Sequence, residues 1–225
     1  MSMLADSGSY SVQDFIPFTD ETYFRLFERQ FEAWWPAHLL MLALGIALIL
    51  LACRGKIRAV AVGLAIPVAA CAITFHLQLY AELTPVGQFF GWALLLQVLL
   101  ILAWGFVSKP GQAPLLKGHS LAGVAIAAFG LALYPALGLL ADRGWKAVEY
   151  FGLAPDPTVC CLLGIALICA RPVWLLLLLP IPLLWAATTA ATLQSLEAPF
   201  ALTLPIIGVI TVAAAIWKAV AGHRT

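Results

Sequence analysis

Long apolar runs with almost no charge inside them leave this chain few folds to choose from. A run of about 18 residues is long enough to cross a ~30 Å hydrocarbon core as a helix. Lipid cannot satisfy open backbone N–H and C=O groups, so only helices and closed barrels span it. A β-barrel would show segments of about 10 residues alternating apolar and polar, and no such alternation is present. Composition agrees. Hydrophobic residues make up 63% of the 225 positions and charged residues 10%, against about 25% charged in a soluble domain. Mean hydropathy is +0.99. The expected fold class is therefore an all-α integral membrane protein.

Seven spans are predicted, at 36–53, 59–80, 87–107, 119–141, 157–170, 173–195 and 200–220. Ahead of them, residues 20–35 read as an interfacial amphipathic helix. Phe24, Phe27, Phe31 and Trp34 keep the 3,4,3 spacing of one face, and Glu21, Arg25, Glu28, Arg29 and Glu32 occupy the other. Trp34 and Trp35 are placed as interface anchors. Glu21 and Arg25 have the favourable i,i+4 spacing of a helical ion pair. The first ten residues lack a basic n-region and an apolar core, so no cleavable signal peptide is expected. The chain divides into a tail and interfacial helix at 1–35, a helix bundle at 36–220 and a cytoplasmic tail at 221–225.

Charge gives the bundle a direction. Arg54, Lys56, Arg58, Lys109, Lys117, Arg171, Lys218 and Arg224, eight of the 12 basic residues, fall on alternate connections and the C-terminal tail. The positive-inside rule puts those connections in the cytoplasm and the N-terminus outside. All 11 acidic residues, from Asp6 and Asp14 to Glu197, fall on the other side. Span five is the weak element, because 14 residues reach only ~21 Å. A re-entrant segment there, leaving six spans, is the alternative. Asp156 is expected to be its N-cap and Pro157 its first residue.

No Asp, Glu, Lys or Arg falls mid-span, which speaks against pumps and ion-coupled carriers, whose ionisable groups sit at mid-depth. Lys218, near the cytoplasmic end of span seven, reads as a snorkelling anchor beside Trp217. Polar side chains gather instead near the outer ends: His38, His76, Tyr80, Asp156 and Gln194. Gln97 and Tyr134 lie deeper, and Trp185, Thr188, Thr189 and Thr192 form a polar-aromatic face on span six. His38 and His76, at matching depth on consecutive spans, suit a haem or metal ion, although their spacing follows no metal motif. Pro67, Pro135, Pro180, Pro182 and Pro205 fall inside spans and free a carbonyl one turn earlier. The Pro180–Pro182 pair is expected to kink or break span six, and such breaks build binding sites in transporters.

Small residues, Gly87 and Gly91 in span three and Gly123, Ala127, Gly130 and Gly138 in span four, mark close helix contacts. The five cysteines form no disulfide framework. No catalytic constellation is present: no Ser-His-Asp set, P-loop or His-Glu-x-x-His. A net charge of +1 gives no basis for nucleic-acid binding.

Several stretches in order, Tyr23-Phe-Arg-Leu-Phe27, Trp35-Pro36, Phe75-His-Leu-Gln-Leu-Tyr80, Leu133-Tyr-Pro135, Phe151-Gly-Leu-Ala-Pro-Asp-Pro-Thr158 and Leu179-Pro-Ile-Pro-Leu-Leu-Trp185, cover most of the chain. It thereby resembles a bacterial family of multi-pass membrane proteins of unknown function. The family pattern tends to have Cys between the two prolines where this chain has Asp156, so any role of that Cys is not carried here. The resemblance implies a bacterial inner-membrane location and supplies no activity. Three readings remain. The favoured one is a non-enzymatic membrane protein that binds a small ligand, a lipid or a partner subunit from its periplasmic half, with the bilayer and a partner subunit or second copy as its associates. The second is an uncoupled transporter or channel using the span-six break. The third is a haem or metal protein using His38 and His76.

Overall fold

The computed structural model describes residues 17–108 and 118–222. Lys109, Lys117 and Arg224, the acidic Asp6 and Asp14, and the N-terminal tail to residue 16 lie outside the described residues. Those described fold into helices and connections, without a strand among them. The helices are α1 (Asp20–Trp34), α2 (Ala37–Cys53), α3 (Ile57–Leu83), α4 (Pro85–Val107), α5 (His119–Leu140), α6 (Pro155–Cys169), α7 (Pro172–Leu178), α8 (Pro180–Ser195) and α9 (Thr203–Gly222). Four of them, α3, α4, α5 and α9, are long and apolar enough to cross a membrane. Two bent pairs raise the number to six: α1 with α2, turned by 95°, and α7 with α8, turned by 44°. The remaining apolar helix, α6, has 15 residues.

The molecule is apolar on its outside as well as its inside. On α4, Phe89, Trp92, Leu96, Leu99 and Phe106 are each more than half exposed, while Phe90, Leu94, Ile101 and Trp104 on the opposite face are buried. A soluble protein rarely exposes so continuous an apolar stripe, whereas lipid suits it.

The core is built around α6. Every residue from Pro155 to Ile168 is buried, and α2, α3, α5, α7, α8 and α9 all touch it. Such enclosure needs close approach, and glycine provides it where α5 meets α6. A Cβ on Gly164 would run into the backbone of Gly123 and Ala127, and one on Gly130 into Cys160 and Pro157. Gly123, Ala127 and Gly130 are among the small residues whose spacing predicted a helix contact. At the far end, the Lys218 ammonium on α9 donates to the carbonyls of Leu167 (2.6 Å) and Ile168 (3.5 Å). Those are among the carbonyls left open at a helix C-terminus. Lys218 therefore caps α6, a correction to its expected snorkelling.

The proline expectations divide. Pro67 lies within α3, which continues past it and widens into a π-helical stretch at Cys71–Tyr80. Pro135 follows a second π stretch, Phe129–Leu133, inside α5. Pro205 is not internal, because α9 begins at Thr203 and first-turn N–H groups have no helical partner to lose. The Pro180–Pro182 break is real and falls at Leu179, between α7 and α8. Pro182 has no N–H for the Leu178 carbonyl, and the Gln97 side-chain amide takes its place at 3.1 Å.

Helix α1 differs from expectation in which face it buries. Tyr23, Leu26, Phe27, Gln30 and Phe31 are buried, while Trp34 is 42% exposed. The reason is a protein partner: Phe27 stacks on Phe75 of α3 at 5.0 Å. The Gln30 amide donates to Thr74 (2.9 Å) and to the Leu153 carbonyl (3.1 Å). Among the described residues, the ion pairs of its charged face run outward, Arg29 to Glu82 and Glu32 to Lys146, each at 3.0 Å, and not from Glu21 to Arg25.

Candidate functional site: a buried carboxylate where three helices meet

The connection from α5 to α6 prepares the site. Gly152 turns the chain at φ +84°, a region that glycine enters without a Cβ penalty. Its N–H donates to Thr158 Oγ1 at 2.8 Å, and that hydroxyl donates to the Ala154 carbonyl at 2.6 Å. Ala154 is thus the N-cap, and Pro155 and Pro157 both fit the first turn, where their missing N–H groups are harmless. Asp156, expected to be the cap on the outer boundary, is instead the second helical residue and 1% exposed.

Its carboxylate is held from three sides. Tyr134 Oη on α5 donates to Oδ2 at 2.5 Å, and Thr189 Oγ1 on α8 donates to the same oxygen at 3.1 Å. The Trp185 indole N–H, also on α8, donates to Oδ1 at 2.7 Å. Thr189 is six residues from the end of α8 at Ser195 and Trp185 ten, or ~9 and ~15 Å at 1.5 Å per residue. The bundle interior is therefore not electrically silent: an Asp sits well inside it, bonded to neutral donors. A carboxylate at that depth marks a functional site by default.

His76 completes the group. It is fully buried, its ring edge-on to Trp185 at 4.7 Å. Neither of its ring nitrogens has a hydrogen-bond partner among the described residues. Tyr80 lies 6.1 Å from Trp185 and 5.8 Å from Tyr23 of α1, so α1 forms one wall of the cluster.

Toward the connection from α5 to α6 lies a small void of about 20 Å³ lined by Tyr134, Gly138, Arg143, Glu149 and Leu193, among others. That is room for about one water. The Arg143 guanidinium pairs with Glu149 at 3.5 Å and covers the Phe24 ring at 3.5 Å. Burial, with Asp156 nearby, pushes the Glu149 carboxyl well above the usual carboxylate range, and Arg143 pulls it only partly back.

Of the residues chosen from sequence, Tyr134, Asp156, Trp185, His76 and Tyr80 come together. His38 does not join them; it is buried among Phe31, Trp35 and Tyr150. Gln97 serves the helix break. Thr188 bonds back to Leu184 on its own helix, and Gln194 is exposed. Among the described residues no group of three or more His, Cys, Asp or Glu is placed to hold a metal ion. Thr189 was read only as part of the polar face of span six, and it is the third donor to Asp156. Glu149 and Arg143 were not singled out, since they carry no signal separating them from other connection charges.

Apolar helices of membrane-spanning length around an enclosed carboxylate define a helical protein compatible with life in a bilayer. The chain belongs to the family of unknown function DUF6064, whose model matches residues 20–224. No curated protein and no solved structure matches the chain.

Proposed function

We propose that this is a non-enzymatic, seven-span protein of the bacterial inner membrane, its N-terminus outside, which binds a small hydrogen-bonding ligand in its outer half. The observation that carries the reading is the Asp156 carboxylate, 1% exposed and gripped by donors from α5 and α8. An intramembrane carboxylate whose hydrogen bonds all come from neutral groups is expensive to keep. Access runs past Arg143 and Glu149, whose pair lines the void above Tyr134. The seven-span count takes α2 and the enclosed α6 as spans, and the basic residues at 54–58, 171 and 218 support the orientation.

Mass spectrometry of protein purified in mild detergent tests it. A small molecule released on denaturation, absent from Asp156→Asn and from Tyr134→Phe proteins that keep their helical circular dichroism, is the expected result. A wild-type protein that releases nothing and carries no partner subunit sinks the reading.

The 44° bend at Leu179 favours a second reading, an uncoupled transporter or channel. The Gln97 amide seals that bend, so flux through it requires that bond to open. Solute flux into liposomes, raised in Gln97→Ala, would support this; liposomes tight with both proteins would end it.

A further inference from the structure

A large groove lies at the opposite end from Asp156. It has a volume of about 1260 Å³ and runs between the start of α5, the end of α6, α7 and α9. Its walls are apolar, with Leu175, Leu176, Leu179 and Val212 among them, and its basic lining residues are His119, Arg171 and Lys218. Among the described residues no acidic side chain lines it. A second, apolar furrow of about 430 Å³ continues it between α8 and α9 as far as Pro205 and shares Leu183, Val212 and Ile216 with it. From Lys218 to Pro205 along α9 is ~20 Å, more than the ~15 Å of one leaflet of a ~30 Å core. Basic groups at one end and a leaflet-long apolar furrow from there are the two halves of a phospholipid site.

We propose that this groove holds an anionic phospholipid, its phosphate at His119, Arg171 and Lys218 and an acyl chain along the furrow between α8 and α9. Charge complementarity selects the occupant. Basic pockets between membrane helices bind anionic head groups, and each Lys or Arg near the membrane surface contributes roughly fivefold in affinity. A zwitterionic lipid gains less from three basic groups with no carboxylate among them. Gly208 lies on the furrow wall, and a Cβ there would approach Leu183 Cδ2 at 3.1 Å. A larger side chain therefore fills the place of the acyl chain without touching the charged end.

The probes are phosphatidylglycerol and phosphatidylcholine, added in equal amounts to delipidated full-length protein and read by native mass spectrometry. One phosphatidylglycerol per chain retained in preference to phosphatidylcholine is expected. Arg171→Gln is expected to reduce that preference about fivefold, with His119→Gln weakening it further. Gly208→Leu is expected to lower retention of both lipids. Lys218 is left unchanged because it caps α6. Equal retention of the two lipids overturns the head-group assignment. Protection from thermal unfolding by inorganic phosphate as large as that by the lipid overturns the furrow's part. A dimer in which Gly208→Cys cross-links to its copy and lipid is excluded overturns the occupant.

Discussion

A carboxylate buried with three donors makes each donor's fate depend on it. Removing Asp156 strands the Tyr134 hydroxyl, the Trp185 indole N–H and the Thr189 hydroxyl, at about 1–3 kcal/mol for each group left unsatisfied. Asp156→Ala is therefore expected to destabilise the protein by roughly 3 kcal/mol or more, Asp156→Asn by less, and Tyr134→Phe by about 1 kcal/mol. Thermal unfolding in detergent reads the order, and an Asp156→Ala protein as stable as wild type would refute it. Gln97→Leu uncovers the Leu178 carbonyl and is expected to lose about 1–3 kcal/mol by the same measurement. Glu149 sets a pH dependence. Its folded-state pKa is raised, so its share of stability is complete below the ordinary carboxylate range and is lost as pH rises through the raised value. The melting temperature is expected to fall over that interval, and Glu149→Gln to flatten the fall. The sequence placed Asp156 at the right end of its helix, but as a boundary N-cap and not as the enclosed second residue of α6. It carried no sign that α8 would reach across with Trp185 and Thr189, because their spacing shows only that they share a face. Gln97 was legible as a deep polar residue, but its acceptor was not, since the orphan carbonyl lies 81 residues away.

Among the elements, α6 was the hardest to read and is the one on which the others close. Its 15 residues reach ~22 Å, which from the sequence alone looks like a failed span. Enclosure explains the length, because a helix covered on all sides does not need to meet water at both ends. The small residues of α5 were legible because close contact selects them by size, whereas their partner Gly164 stood alone in an apolar run. At Gly164 the obstructing atoms are backbone, which cannot swing aside. Gly164→Val is expected to cost about 1–3 kcal/mol from overpacking, and Gly63→Ala, which meets the side chains of Leu48 and Leu44 and no backbone, to cost less. Comparing the two melting temperatures checks this. Lys218 escaped recognition for a related reason: a lysine near a span end usually snorkels, and only a neighbouring helix ending at its level makes it a cap.

On the scale of the whole molecule, the apolar runs carried the helical class and most of the helices. Six of the seven predicted spans correspond to helices or bent pairs that pass on length and composition, the seventh being α6. The direction of the bundle is open to a direct test. In a cysteine-free background, Glu82→Cys and Glu197→Cys are expected to react with a membrane-impermeant thiol reagent on intact cells. Gly55→Cys is expected to react only after lysis. The reverse pattern would invert the molecule. What could not be read at this scale was the seat of α1, because an amphipathic helix shows an apolar face whether lipid or protein covers it. Its exposed ion pairs are each worth about 0–1 kcal/mol, so Arg29→Ala should change little. Gln30→Ala, which loses two buried bonds, should change more.

The enclosure of α6 also has a meaning in time. Tyr134 precedes Asp156 in the chain, but Trp185 and Thr189 follow it, and Lys218 comes 62 residues after it. During synthesis the carboxylate therefore enters the membrane with one of its three donors made, and the carbonyls at the other end of its helix wait for nearly the last turn of α9. Assembly cannot finish from the N-terminus forward. The ribosome must carry synthesis through α9 before the centre of the bundle has a stable place to be.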